Sequence, residues 1–123
     1  MTQPNTNAGI ETGDQGPTFR VMLRMQIVPG KEEEFEQVWY SVGDAVNSNP
    51  ANLGQWLLRD TVEDGVYYIM SDWVNEPRFR EFERSAEHVE HRERLHPYRL
   101  YGSMVAMDVV HDLGRHPAPE PSR

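Results

Sequence analysis

The sequence predicts an α+β domain, one antiparallel sheet of four strands with its helices on one face, in the order β-α-β-β-α-β. Three observations lead there. Apolar side chains alternate every second residue from Phe19 to Ile27, they recur at steps of three and four between Phe35 and Val46, and Asp64-Gly65 joins two short strand-like runs that are followed by a second helical stretch.

Phe19, Val21, Leu23, Met25 and Ile27 alternate with Arg20, Met22, Arg24, Gln26 and Val28, so the first strand has one apolar face and one mixed face. Pro29-Gly30 stops it. A helix is expected from Lys31 to about Asn47 on the stripe Phe35, Val38, Trp39, Val42 and Val46, with Glu32, Glu33 and Glu34 in the first turn, where negative charge suits the helix dipole. The second strand is expected from Gln55 to about Thr61, and Asp64-Gly65 supplies the hairpin turn into a third.

Val66 to Met70 is β-branched, aromatic and apolar at consecutive positions, the pattern of a strand covered on both faces, and Trp73 closes the run. Asn75 can cap the helix that follows, with Pro77 in its first turn. Phe79, Phe82, Ala86 and Val89 share one helical stripe, Ser85 can cap a second segment after a bend, and Pro97 ends it. The last strand is expected from Ser103 to about Val110, again apolar on both parities. This order is the ferredoxin-like split βαβ arrangement. Two helices cover one face of such a sheet, so the apolar second face calls for the sheet of an identical subunit, and a homodimer is expected with Arg20, Arg24 and Gln26 near the interface.

At 123 residues the chain is one domain, expected to fold over 18–113 between disordered tails at 1–17 and 114–123. With 20 acidic against 12 basic residues the net charge is −8, which repels phosphate backbones and excludes a general nucleic-acid binder. The arginines at 78, 80, 84, 92, 94 and 99 alternate with glutamates and read as a salt-bridged, solvated helix face. Without cysteine there is no disulfide frame, thiolate nucleophile or CxxC metal site. No run approaches a membrane span and no signal peptide is evident, so a soluble cytoplasmic protein is expected.

Three of the five histidines, 88, 91 and 96, fall on the last helical segment. His88 and His91 are three apart, so both imidazoles can share a side with Arg92 and Leu95. Either can serve as general base, and both can equally be polar residues of a charged helix; with Glu87 or Glu90 they form no recognised zinc spacing. Strand parity puts Tyr67 and Trp73 on one face of the third strand and Tyr68 on the other. Arg59 is a candidate partner for an oxyanion or carboxylate, or a solvated hairpin charge. Met22, Met25, Met70, Met104 and Met107 suit an adaptable pocket for a flat ligand as well as plain core filling.

The order of elements, the strand ending in Trp73, the acidic-Pro helix start Glu76-Pro77 and the Phe79/Phe82 stripe together resemble the antibiotic biosynthesis monooxygenase family over residues 19–112, and most closely its small members associated with aromatic polyketide synthesis. The resemblance implies a dimeric α/β barrel and oxidation of anthrone-type intermediates to quinones with O2, using neither flavin nor metal, in antibiotic or pigment biosynthesis. It implies Trp73 in the pocket with its indole N–H available to a ligand oxygen. Ile69 stands where one anthrone oxygenase type carries an amide, and Phe79 where it carries a tyrosine. Leu23 and Glu83 stand where the heme-degrading branch has an asparagine and an axial histidine, which disfavours heme. The expected catalytic set is His88, His91 and Trp73. Tyr67, Arg59, Phe79, Phe82, Ile69, Leu23 and Met25 are the expected substrate contacts, with no metal and no cofactor. An aromatic polyketide cyclase, or a non-catalytic polyketide-binding accessory protein, would use a similar pocket. Other polyketide tailoring enzymes are candidate partners.

Overall fold

The computed structural model describes residues 16–114. The tails expected at 1–17 and 114–123 lie outside the described residues except at 16, 17 and 114. Four strands, β1 (Phe19–Ile27), β2 (Asn52–Arg59), β3 (Val66–Trp73) and β4 (Arg99–Asp108), form one antiparallel sheet in the order β2-β3-β1-β4. Helices α1 (Glu32–Asn47), α2 (Glu76–Glu83) and α3 (Ala86–Leu95) complete a ferredoxin-like fold, with a 3-10 turn, His96–Tyr98, before β4.

Local chemistry places the boundaries. Asn75 caps α2 by accepting from the Arg78 N–H at 3.0 Å, with Pro77 in the first turn, and Ser85 caps α3 by accepting from the His88 N–H at 3.1 Å. The second helical stretch is therefore two helices, and the bend breaks the phase of its stripe. Phe79 and Phe82 are buried, whereas Ala86, beyond the bend, is exposed.

Three boundaries differ from expectation. β2 begins at Asn52 rather than Gln55 and ends at Arg59, because pairing with β3 continues past a register shift at Asn52/Gly54. The β2–β3 connection is a six-residue loop, 60–65, rather than a tight Asp64-Gly65 turn. Its closure is due to Asp60, whose carboxylate accepts from the Val62 and Glu63 N–H groups at 2.8 Å each and from the Tyr68 hydroxyl at 2.9 Å. Gly65 then takes φ +77°, and a Cβ there would meet Gln26 Nε2 at 2.9 Å. β4 begins at Arg99 and ends at Asp108, since the ladder to β1 runs across a bulge at Gln26/Ile27 as far as Arg99.

Odd-numbered residues of β1 and β3 face the helices. Their buried side chains separate into two groups: Phe19, Val21, Trp73, Phe79 and Phe82 with Ala51 at one end, and Met25, Ile27, Phe35, Tyr67 and Ile69 at the other. The opposite face is bare in the single chain. Across it the pairs Trp56↔Met70, Met70↔Met22 and Met22↔Val105 align an apolar row over all four strands, with Trp56 43% and Val105 54% exposed. Arg20 lies on this face and grips Asp72 through two bonds of 2.7 and 2.9 Å, while Arg24 pairs with Glu63 at 2.9 Å. No helix among the described residues is long and apolar enough to cross a membrane.

Candidate functional site

Between the two apolar groups, where a single continuous core would otherwise lie, the helix side of the sheet encloses a cavity of about 360 Å³. That volume is within the ordinary range for small-molecule sites. Its floor is Val21, Leu23, Met25, Ile69, Ser71 and Trp73 from β1 and β3, with Gln55 and Met104 from the flanking strands. Trp39, Val42 and Val46 of α1 form one wall, Phe79 and Phe82 of α2 another, and His88, His91, Arg92 and Leu95 of α3 the third. The three helices therefore each contribute one side because each presents a stripe to the same strand face.

Eight of the ten expected site residues meet here: His88, His91, Trp73, Phe79, Phe82, Ile69, Leu23 and Met25. Tyr67 and Arg59 do not. They line a separate open depression with Glu36, Asp64 and Gly65, where the Tyr67 hydroxyl donates to Glu36 and Arg59 Nη1 lies 3.1 Å from the same carboxylate. Burial first, then the bond to Glu36, pushes the Tyr67 hydroxyl up to about 12. Tyr67 shares the face of Trp73, but it pairs with Met25 at the far end of β3 and packs edge-on against Phe35 of α1, with ring centroids 5.1 Å apart.

The two imidazoles have different surroundings. The His88 ring lies 4.8 Å from that of Phe82, and its pKa is lowered, first by burial and then by the Arg92 guanidinium, with His91 adding to the effect and Glu83 opposing it. His88 is thus neutral at pH 7, with a lone pair available. His91 has its Nδ1 sealed from solvent with no hydrogen-bond partner. A buried N–H without an acceptor costs about 1–3 kcal/mol, more than an idle lone pair, so the His91 proton belongs on Nε2. His88 thus offers a lone pair, and His91 an N–H donor.

Trp73 is 1% exposed and touches both phenylalanines of α2, with centroids 5.4 Å from Phe79 and 4.9 Å from Phe82. Its indole N–H already donates to Ser71 Oγ at 2.9 Å. The indole N–H expected to be available to a ligand is therefore engaged within the strand, and Ser71 carries the polar contact point of this wall. Gln55, the cross-strand partner of Ser71, is anchored through its amide to Gly43 O at 2.7 Å. Sequence reasoning passed over both. The signal was partly present for Ser71, which with Tyr67 is one of two hydroxyl-bearing residues on the inward parity of β3 and the one of the two that lines this cavity.

The expected salt-bridged arginine face holds on α2, where Arg80 meets Glu76 and Glu83 at 3.1 Å each and Arg78 meets Glu81 at 3.8 Å. It does not extend to α3 and β4. Among the described residues Arg92 and Arg99 form no ion pair, and Arg94 donates to Ser41 Oγ at 3.3 Å. No group of three or more metal-ligating side chains is gathered among the described residues.

A family model described as antibiotic biosynthesis monooxygenase matches residues 18–94. No functionally curated protein matches the chain. Among solved structures, SnoaB, a cofactor-independent oxygenase from Streptomyces nogalater, is similar with a TM-score of 0.72 and 18% identity, covering 81% of this chain and 100% of its own. A conserved protein from Methanosarcina mazei Go1 is similar with a TM-score of 0.69 and 15% identity, over 75% of this chain and 92% of that one. At these identities the likeness is one of fold.

Proposed function

Because the chain belongs to the antibiotic biosynthesis monooxygenase family, we propose that it is a cofactor-independent monooxygenase that oxidises a flat, phenolic polyketide of the anthrone type to a quinone with O2. The observation that carries this reading is His88, a histidine held neutral at the wall of an apolar cavity. The fold shared with SnoaB, itself a cofactor-independent oxygenase, supports it.

In this reading His88 takes a proton from the activated methylene of the substrate, leaving an electron-rich enolate. The enolate passes one electron to O2, since a direct two-electron reaction with triplet O2 is spin-forbidden, and the substrate radical and superoxide combine to a peroxide at the same carbon. Cleavage of the O–O bond puts one oxygen on that carbon as a carbonyl and releases the other as water, so the CH2 group and O2 become C=O and H2O. All electrons come from the substrate. The protein orients the rings between Trp39 and Phe82, excludes water, and offers the His91 N–H and the Ser71 hydroxyl to the oxygen on which negative charge develops. The working unit is the domain 18–113, acting as a homodimer closed through the bare sheet face.

Oxygen consumption with anthrone, measured against the uncatalysed rate, tests the reading. Uptake that depends on the protein and falls in His88→Gln supports it. A base-dependent change of substrate that proceeds equally under argon would identify a cyclase, and binding without turnover would identify an accessory protein.

A further inference from the structure

The mouth of the cavity is charged in a way its apolar interior does not require. Arg92 of α3 and Arg99 at the start of β4 both line it, and both are exposed. In a chain of net charge −8, arginines are expected to find carboxylates, and those on α2, β1 and β2 do. Arg92 and Arg99 have none within ion-pair distance among the described residues. Two carboxylates also line the cavity: Glu93, and Glu83, which is held at 3.1 Å by an Arg80 that it shares with Glu76.

We propose that Arg92 and Arg99 form an anion-binding rim, so that the ligand of this cavity is an apolar body of about tricyclic size carrying one carboxylate at the end that remains near the mouth. Glu93, and Glu83 through the Arg80 cation it shares with Glu76, offset part of the charge of the two arginines, so the rim suits a singly charged carboxylate better than a doubly charged phosphate. Arginine suits the task because its planar fork meets a carboxylate through two parallel bonds, and because the partly desolvated mouth of an apolar cavity strengthens them. His88 and Ser71 are half-buried where Arg92 and Arg99 are exposed, so the rim would fix which carbon of the rings reaches the base. This inference rests on the cavity being the substrate site; it does not depend on the reaction performed there.

The test is a binding measurement without O2 chemistry. Anthracene-2-carboxylate and its neutral carboxamide are titrated into the full chain at low salt, with Trp39 and Trp73 in the cavity walls as the fluorescent reporters. The acid is expected to bind at least about tenfold more tightly than the amide, the lower end of what a charged hydrogen bond contributes. The double variant Arg92→Gln/Arg99→Gln should abolish that preference while the amide binds as before, which also reports an intact fold. Glu93→Gln should enlarge it. Equal affinities in the unaltered protein, no binding of either probe, or a preference that survives the double variant would overturn the rim. Should the acid bind as stated while anthrone is not oxidised, the oxygenase reading alone falls.

Discussion

The indole Nε1 of Trp73 donates to the hydroxyl of Ser71 at 2.9 Å, two residues earlier on the same face of β3. The bond makes Ser71 the polar point of the cavity wall and Trp73 its rigid backing. Ser71→Ala would strand a buried indole N–H, so the variant should lose about 1–3 kcal/mol of stability, read from denaturant unfolding. Trp73→Phe removes the donor and the demand for an acceptor together, and should cost less through polarity than through lost packing on Phe79 and Phe82. If Ser71→Ala is as stable as the parent protein, the bond is not what orders this wall.

In the proposed reaction His88 would set the pH dependence. Its pKa lies below the usual histidine value because burial and Arg92 disfavour the charged ring. Turnover should therefore rise with pH through one ionisation below about 6.5 and be flat at neutrality. His88→Gln should reduce turnover by about 10² to 10⁴ and remove that ionisation. The same shift acts on stability. The unfolded chain binds the proton more readily than the folded one, so stability is unaffected above the unfolded pKa and falls as pH drops from there toward the folded value. Thermal melts of the two proteins between pH 7.5 and 5 should diverge in that direction; parallel curves would contradict it.

Tyr67, Arg59 and Glu36 should be separable from the chemistry. They form their own hydrogen-bonded group in a second depression, away from His88 and Trp73. Tyr67→Phe leaves Glu36 its arginine and should keep turnover within about twofold while lowering stability by about 1 kcal/mol, the net worth of one hydrogen bond. A loss of turnover comparable to that of His88→Gln would place Tyr67 in the mechanism after all.

Much of this was legible in the sequence, and the exceptions have physical causes. Asn75, Pro77 and Ser85 announced two helix starts because capping is a local contest between a side chain and nearby N–H groups. Parity placed Trp73, Ile69 and Tyr67 on one face, since that depends only on the pleat. Which end of the face a residue occupies is set instead by how the helices lie across it. Tyr67 and Arg59 were therefore grouped with a pocket that lies beyond their reach. β4 starts at Arg99 rather than Ser103 because its first residues are held by the ladder to β1, a long-range pairing that local sequence does not carry.

The apolar row Trp56, Met70, Met22 and Val105 should be covered by a second copy of the chain. Light scattering is expected to give twice the mass of one chain, and Trp56→Lys combined with Val105→Lys should shift it to the monomer. A monomeric parent protein would leave this face to some other partner.

The central claim is that the protein moves one atom of O2 into the substrate and the other into water. Anthrone incubated with the protein under ¹⁸O2 in unlabelled water, followed by mass spectrometry of the quinone before carbonyl exchange, tests this directly. The expected result is one labelled oxygen per quinone, formed faster than in a protein-free control and slowed toward that control in His88→Gln. A quinone whose new oxygen comes from water, or a rate no different from the control, would contradict the account.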